Sequence, residues 1–157
     1  MNDIELLQVL ASAADEISLA RFRALDLVVE TKPDRTPVTD ADKAVEGKLR
    51  ELLKLYRPTD KFIGEEMDKT GDSNRSWIID PIDGTANYLR GVPIWGTLIA
   101  LRVDGEITTS IISAPALGRR WWAGKGRGAF TKDIDGSVRK IAVSKIAMLE
   151  DSTLSFN

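Results

Sequence analysis

Two carboxylates three residues apart, at the end of a short apolar segment, are the residues of this chain whose types and spacing best suit chemistry. Asp80 and Asp83 belong to the string D-P-I-D-G-T over residues 80–85, which follows the apolar residues 77–79 directly. A helix that begins at or near Gly84 would point free backbone N–H groups at the same place, and such a helix start binds phosphate. Carboxylate oxygens are the ligands that Mg²⁺ prefers. The string therefore predicts a cation site beside an anion site, as metal-assisted phosphate hydrolysis requires.

A structural interpretation of the same residues competes with this one. In a lone Asp-x-x-Asp-Gly string, Asp83 and Gly84 would form a turn and Asp80 would cap it, without any chemical role. Pro81, which fixes one backbone φ, and Gly84, which permits a sharp turn, fit both interpretations. The full string directly after a buried strand is more specific than a lone turn, and it favours the site.

A second acidic pair, Glu65 and Glu66, also follows a short apolar segment, residues 62–64. Two adjacent glutamates usually form only a solvated surface pair. Because adjacent side chains of a strand point to opposite faces, at most one of the two would face a shared site directly. We expect Glu65 to be that residue.

Asp42 has two competing roles. If Thr39 is the N-cap of a helix, Asp42 falls at the third helical position, where an acid completes a capping box and suits the helix start. The functional alternative is a carboxylate that holds a metal-bound water, with the hydroxyl of Thr85 as its partner. Thr85 would otherwise be an ordinary residue at a helix start.

Three groups of basic residues are interpreted structurally. Residues 124–128 (G-K-G-R-G) lack the spacing of a phosphate-binding loop, and they predict a β-turn. Residues 119–122 (R-R-W-W) predict a strand rather than a nucleic-acid patch. Lys32 and Arg90 could guide a phosphate, but a solvated surface role is the default for both.

The composition removes whole classes of chemistry. The 157 residues contain no Cys and no His, so a thiolate nucleophile, a Ser-His-Asp triad and the common zinc sites are excluded. Chemistry must then rest on carboxylates, hydroxyls, Lys and Arg, which favours hard cations, above all Mg²⁺. A net charge of −2 argues against nucleic acid as the main partner.

Length and hydropathy predict one cytoplasmic domain over residues 1–157. No apolar run approaches the roughly 20 residues of a membrane span, and the acidic N-terminus lacks the layout of a signal peptide. Asn2 and Glu5 predict a capping box that opens a helix to about Leu25. A second, amphipathic helix is expected between Thr39 and Pro58.

A series of strands follows the two helices. Asp104-Gly105 predicts a tight hairpin between residues 95–103 and 106–113. Another strand is expected at residues 77–79, stopped by Asp80. We also expect an exposed loop at residues 68–75 and a last strand at residues 152–156. This order predicts an α+β fold with helices layered on an antiparallel sheet.

Three strings and the spacing between them resemble a known family. The strings are residues 36–42 (T-P-V-T-D-A-D), 62–66 (F-I-G-E-E) and 77–85 (W-I-I-D-P-I-D-G-T). They are similar to those of the inositol monophosphatase-like family of metal-dependent, lithium-sensitive phosphatases, in the family's order and over nearly the whole chain. The resemblance implies an inositol monophosphatase-like fold, with this chain as the N-terminal portion of an α-β-α-β-α sandwich.

Finer strings are similar to one branch of that family, the bacterial histidinol-phosphatases of histidine biosynthesis. They lie at residues 32–37, 90–95 and 113–123. The resemblance implies hydrolysis of histidinol phosphate to histidinol, with inositol monophosphate or another small phosphomonoester as the alternative substrate. It also implies a homodimer, for which the sequence carries no independent signal.

By the same resemblance, two or more Mg²⁺ ions are cofactors of this chain. Glu65, Asp80 and the backbone carbonyl of Ile82 would bind one ion. Asp80 and Asp83 would bind a second, so that Asp80 bridges the two.

The resemblance also assigns the substrate and the attacking water. Gly84 and Thr85 would give backbone N–H groups to the phosphate, beside Asp83. Asp42 and Thr85 would orient the water, with Glu65 in the same catalytic set.

One departure from the family bears on all of these roles. Family members are considerably longer, and their second half supplies a further Asp in a W-D-x-A-type motif that completes the second metal site. Nothing in this chain matches that motif. We therefore expect a partial chain, whose first metal site could survive while its second is impaired. A catalytically silent metal-binding fragment is the non-enzymatic alternative.

Overall fold

The computed structural model describes residues 1–66 and 70–153, over which the chain forms three α-helices, a two-stranded hairpin and a seven-stranded sheet. The helices are α1 (Asp3–Arg21), α2 (Asp40–Tyr56) and α3 (Thr85–Leu89). The strands are β1 (Val29–Thr31), β2 (Pro37–Thr39), β3 (Lys61–Ile63), β4 (Arg75–Asp83), β5 (Gly96–Val103), β6 (Glu106–Ala114), β7 (Arg119–Gly124), β8 (Gly128–Lys132) and β9 (Val138–Ile141). Short 3-10 turns cover Pro115–Leu117 and Leu149–Asp151.

The capping box predicted at the start of α1 is confirmed. Asn2 Oδ1 accepts a hydrogen bond from the N–H of Glu5 at 3.0 Å, and Glu5 Oε2 accepts one from the N–H of Asn2 at 2.8 Å. The helix ends at Arg21, earlier than the predicted end near Leu25. Phe22 leaves the helix with an extended ψ of 123°, and its ring packs against the rings of Tyr88 and Trp95.

The second predicted helix is also confirmed. Thr39 caps α2, and the helix ends at Tyr56, just before Pro58. Its buried side chains recur at helical spacing and face α1 and the sheet. They are Ala41, Asp42, Val45, Glu46, Leu49 and Leu53.

The large sheet has the strand order β3-β4-β5-β6-β7-β8-β9, and its neighbouring strands are antiparallel except for the parallel pair β3 and β4. The hairpin between β5 and β6 turns at Asp104 and Gly105, as predicted, with positive φ values of 50° and 86° that suit the turn. Helices layered on this sheet confirm the predicted α+β architecture.

The end of β4 corrects the prediction that Asp80 stops the strand. β4 continues to Asp83, with Asp80 opposite Leu98 of β5, and its register then shifts before Asp83. Pro81 has no N–H to give to a ladder, and it lies within this irregular stretch. The Thr97 hydroxyl donates to the carbonyl of Pro81 at 2.8 Å, which holds the irregular segment to β5.

The two faces of the sheet are covered differently. One face packs under α1 and α2 in a core that includes Trp77, Ile99 and Ile111. On the opposite face, Ile78 and Leu98 are only partly buried, and they line a shallow apolar depression that reaches Asp80. Asp80 lies on the same face as Ile78, away from the helices, because side chains two residues apart in a strand point to the same side.

Two other predicted segments fall partly outside the described residues. In the predicted loop 68–75, Thr70 forms a single β-bridge with Phe62, and Arg75 already opens β4. Residues 68–69 of that loop lie outside the described part of the chain. Ser152 and Thr153 are not in a strand, and the rest of the predicted last strand, 154–156, also lies outside.

Candidate metal and phosphate site

The three carboxylates predicted as metal ligands line one cavity where β4 ends and α3 begins. Glu65, Asp80 and Asp83 form part of its wall, and its volume is about 310 Å³. Glu65 lies in the turn after β3, and the other two lie at the end of β4. Because β3 and β4 are parallel neighbours, both segments leave the sheet at the same edge. The remaining lining residues are Asp34, Thr36, Pro37, Ile82, Gly84, Thr85 and Ala86.

Asp80 is the most perturbed acid of the cavity. Burial, followed by the negative charge of Glu65, side-chain hydrogen bonding with Glu65, and the charges of Asp83 and Asp42, raises the pKa of Asp80 to about 7. Its Oδ1 atom is buried and has no hydrogen-bond partner among the described residues. A buried carboxylate oxygen without a partner, facing other carboxylates, is stabilised by a cation.

Lys32 lies between the two glutamates that follow β3. Its Nζ is 2.6 Å from Glu65 Oε1 and 2.7 Å from Glu66 Oε1. Both carboxylates therefore reach the same cation, and of the two Glu65 is the one that lines the cavity. The alternation of side chains along a strand does not apply to this pair, because β3 ends at Ile63, before either glutamate. The default surface role expected for Lys32 is wrong, whereas Arg90 is exposed, as that default predicts.

Asp42 is buried at the start of α2 and completes the capping box that the structural interpretation predicted. Its Oδ2 accepts hydrogen bonds from the Thr39 N–H at 2.8 Å and from the Thr39 hydroxyl at 2.6 Å. Burial raises the pKa of Asp42, although these hydrogen bonds oppose the shift. The hydrogen bonds that the structure describes join Asp42 to Thr39, and they join Thr85 to Ile82, so they do not pair Asp42 with Thr85.

The turn from β4 into α3 has the predicted form. Gly84 is the N-cap of α3 with a φ of 84°, a conformation that favours glycine. The Thr85 hydroxyl donates to the carbonyl of Ile82 at 2.9 Å, which folds the turn back on the end of the strand. Beneath the turn, the ring of Tyr88 packs edge-on against Trp95 at 4.8 Å, so α3 rests on a rigid aromatic base.

The donor set of the cavity fits a hard divalent cation. It offers carboxylate oxygens from Glu65, Asp80 and Asp83 and contains no nitrogen or sulfur ligand. Within residues 1–66 and 70–153, no group of three or more acidic side chains is arranged to hold a metal ion as it stands. The unpartnered Asp80 Oδ1 is the atom that best supports the fit.

Sequence reasoning missed several residues of this region. Asp34 and Thr36 belong to the connection between β1 and β2 and line the cavity, where Asp34 Oδ1 accepts from the Thr36 hydroxyl at 2.7 Å. Glu46 is fully buried and binds the backbone of Glu66. Its position four residues after Asp42, within the apolar stripe of α2, was the signal that could have identified it.

The two other basic segments have the structural roles expected of them. Residues 124–128 form the tight connection between β7 and β8, where Lys125 pairs with Glu106. Residues 119–122 lie in β7, and Arg120 pairs with Asp15 of α1 at 2.5 Å. Neither segment contributes to the lining of the cavity.

A family model and curated relatives match nearly the whole chain. The model described as the inositol monophosphatase family matches residues 3–155. A histidinol-phosphatase of Mycobacterium tuberculosis is 51% identical over 99% of this chain and 60% of its own length. A histidinol-phosphatase of Streptomyces coelicolor is 49% identical over 100% of this chain and 60% of its own length. The chain therefore spans about three fifths of the length of these relatives.

A solved structure agrees with the family match. The fold is similar to that of an IMPase from Thermotoga maritima, with a TM-score of 0.84 and 28% identity over 96% of this chain and 57% of that chain. None of the helices in the described part of the chain combines the length and the apolar character needed to cross a membrane.

Proposed function

Because the chain belongs to the inositol monophosphatase family, we propose that it forms the metal- and phosphate-binding part of a Mg²⁺-dependent phosphomonoesterase. The observation that carries the proposal is the buried, unpartnered oxygen of Asp80 at a cavity shared with Glu65 and Asp83. A buried carboxylate oxygen without a partner is costly for the fold, and a bound cation would relieve that cost.

Four oxygen donors would hold the metal, and the family is metal-dependent, typically on Mg²⁺. Glu65, Asp80 and the carbonyl of Ile82 would bind one ion, while Asp80 and Asp83 would bind a second. When bound, Mg²⁺ lowers the pKa of a coordinated water and neutralises phosphate oxygens. The carbonyl of Ile82 already accepts from Thr85 at 2.9 Å, which keeps it turned toward the start of α3.

The residues around the donors would position the phosphate and the water. Backbone N–H groups at Gly84 and Thr85 would bind the phosphate beside Asp83. Asp42 would orient the attacking water together with the Thr85 hydroxyl. The hydrogen bonds from the backbone and hydroxyl of Thr39 would hold the Asp42 carboxylate in place for that role.

The favoured substrate is histidinol phosphate. Two relatives with about half of their aligned residues identical to this chain bear the name histidinol-phosphatase. Inositol monophosphate is the second candidate, since the similar solved structure is named an IMPase. Both are small phosphomonoesters, so both would use the same metal and phosphate sites and differ only at the leaving alcohol.

The share of the relatives that the chain covers limits the proposal to the first part of the enzyme. The chain aligns with 60% of each histidinol-phosphatase. We propose that residues 1–157 are the N-terminal, metal-binding portion, and that the second metal site and the alcohol pocket need further residues. A silent metal-binding fragment is then the competing outcome. A cytoplasmic location and a homodimer stay predictions.

Phosphate release with a panel of substrates tests this function. Histidinol phosphate, inositol monophosphate and fructose bisphosphate are each incubated with the protein in excess Mg²⁺ and in excess chelator. We expect Mg²⁺-dependent release, fastest from histidinol phosphate. Turnover that persists with the chelator would contradict the metal role. Mg²⁺ binding by calorimetry without any turnover would instead identify the silent fragment.

A further inference from the structure

Glu46 is a buried acid whose position the proposed chemistry leaves unexplained. It lies on α2 with a relative exposure of 0%, in the stripe that packs toward the sheet. Its Oε2 accepts a hydrogen bond from the backbone N–H of Glu66 at 2.7 Å. A fully buried carboxylate is costly unless its hydrogen bonds repay the loss of water, so this contact is a specific one.

Gly64 leaves the space that Glu46 fills. A Cβ atom added at Gly64 would lie 2.6 Å from Glu46 Oε2 and closer still to the rest of the carboxyl group. Gly64 does not have a positive φ, so its backbone conformation does not require glycine. Space for the Glu46 carboxyl group is therefore what requires glycine between β3 and the acidic pair.

A third contact ties the same carboxyl group to β3. Arg50, one turn further along α2, has its Nη2 3.5 Å from Glu46 Oε1. The Arg50 guanidinium also lies 4.3 Å from the centre of the Phe62 ring in β3. Glu46 thus joins α2 to the segment that begins in β3 and ends at Glu66.

We propose that Glu46 is a positioning residue, which fixes the turn after β3 so that the carboxylate of Glu65 reaches the cavity. The carboxylates of Glu65 and Glu66 lie within 2.7 Å of Lys32 Nζ, and Glu65 lines the cavity with Asp80. The strand β3 ends at Ile63, so its hydrogen bonds to β4 do not hold the turn at Glu65 and Glu66. The backbone N–H of Glu66 instead donates to Glu46, which ties the turn to α2. The consequence for Mg²⁺ rests on the proposed function, whereas the anchoring of the turn does not.

Glu46→Leu and Glu46→Gln test the proposal together. Leu places an apolar side chain of similar size on α2 and cannot accept a hydrogen bond from the Glu66 N–H. Gln keeps an oxygen that can accept it. In the metal-free Leu variant we expect the Glu66 amide to exchange its hydrogen at least about tenfold faster, with smaller changes at other amides. Its Kd for Mg²⁺, measured by calorimetry, should rise by about tenfold or more. The Gln variant should stay within about threefold of the wild type in both measurements.

Two further variants separate positioning from stability. Leu53→Ala removes a buried side chain near the other end of α2, so it lowers the thermal midpoint but should leave the Kd for Mg²⁺ of the folded protein unchanged. Gly64→Ala places a Cβ where the Glu46 carboxyl group lies, so it should reproduce the faster exchange and weaker binding of the Leu variant. It provides the same test if Glu46→Leu does not fold.

The outcomes distinguish this inference from the proposed function. Wild-type exchange at Glu66 in Glu46→Leu or in Gly64→Ala would overturn the positioning role, whether or not metal binds. Faster exchange with an unchanged Kd for Mg²⁺ would overturn its link to the metal site. A wild-type protein that binds no Mg²⁺ would overturn the proposed function, while the exchange data would still decide the role of Glu46.

Discussion

The acidic residues near the N-terminus of α1 are paired with arginines, whereas the acidic residues at the cavity have fewer paired cations. In the first region, Asp3 and Asp60 bind Arg75, which lies 3.1 Å from both carboxylate oxygens of Asp3 and 3.2 Å from both of Asp60. Arg57 adds a second cation to Asp3 at 2.9 Å. We call Asp3 and Asp60 the arginine-paired acids.

We call Asp42, Glu65, Asp80 and Asp83 the acidic cluster, because the charges of the other three act on Asp80; Glu65, Asp80 and Asp83 line the cavity. Lys32 pairs with Glu65, and the buried Oδ1 of Asp80 has no hydrogen-bond partner in the described part of the chain. In this cluster, burial and like charges raise the pKa of Asp80 to about 7. Burial also acts to raise the pKa of Asp3, but the hydrogen bonds and charges of Arg57 and Arg75 outweigh it and lower the pKa.

The contrast shows how a site can be distinguished from a structural network of the same residue types. Asp3 and Asp60 are paired with arginines, which stabilise the charged form of Asp3. In the acidic cluster, burial and like charges destabilise the charged form of Asp80, and a bound cation would relieve that cost. Each prediction below alters one side of this contrast.

Asp80→Asn should have the largest effect. Removing this carboxylate takes away a ligand of both proposed Mg²⁺ ions, so phosphate release should fall by about a thousandfold, equivalent to about 4 kcal/mol. The same change removes a repelled charge, so the metal-free variant should be more stable to urea than the wild type at pH 7.5. Phosphate assays and urea unfolding measure the two effects.

Asp60→Asn is the matched control on the arginine-paired side. Asp60 accepts from Arg75 and from the Trp77 indole, so its neutralisation should destabilise the fold and leave Mg²⁺ affinity within about twofold of the wild type. If both variants lose stability, or if both lose Mg²⁺ affinity, the two regions do not differ as described.

Arg75→Met should have the next largest effect. It removes the cation shared by Asp3 and Asp60, and the Asp60 side chain is only 4% exposed. Leaving that carboxylate buried with less compensation should cost about 3 kcal/mol of unfolding free energy. Urea unfolding of the metal-free protein measures the loss. A change below about 1 kcal/mol would mean that Arg75 contributes no more than an exposed ion pair.

The sequence predicted the acidic cluster better than it predicted the arginine-paired acids. The string over residues 80–85 and the pair at 65–66 already placed the cluster at strand ends, and the structure brings Glu65, Asp80 and Asp83 to one cavity. Both helices and the Asp104-Gly105 hairpin followed from capping and turn chemistry. These features could be predicted because local residue chemistry determines them.

Long-range pairings could not be read from the sequence. Lys32 reaches Glu65 across 33 positions, and Arg75 reaches Asp3 across 72. No local sequence pattern indicates which Lys or Arg side chain forms an ion pair with which distant carboxylate in the folded chain. The continuation of β4 through Pro81 was missed for the same reason, because the hydroxyl that holds it belongs to Thr97 on the next strand.

The pH dependence of stability should have opposite signs in the two regions. The raised pKa of Asp80 means that the folded state holds a proton that the unfolded state has released, so its contribution falls as pH rises from about 4 to about 7. The lowered pKa of Asp3 means that its contribution is present above the usual Asp pKa and is lost as pH falls through the folded value.

Urea unfolding of metal-free wild type and Asp80→Asn at pH 4.5 and 7.5 tests this sign. The difference in unfolding free energy between the two proteins should change by about 2 kcal/mol over the interval, and the wild type should lose relative stability at the higher pH. Excess Mg²⁺ at pH 7.5 should reverse the loss in the wild type alone. Parallel pH profiles for the two proteins would mean that neither burial nor the neighbouring charges raise the pKa of Asp80.

Lys32→Met should have the smallest effect, because it removes the cation of a pair that is partly exposed. The Glu65 side chain is 46% exposed, whereas Glu66 is 6% exposed and bonded through its N–H to Glu46. Without the ammonium, the two glutamates repel each other, and the metal-free protein should lose about 1 kcal/mol of unfolding free energy at low salt. The loss should shrink in 0.5 M salt, since the exposed charges are then screened. A salt-independent loss would show that the Lys32 side chain acts by packing. The charge of its ammonium would then not be needed to stabilise the acidic cluster.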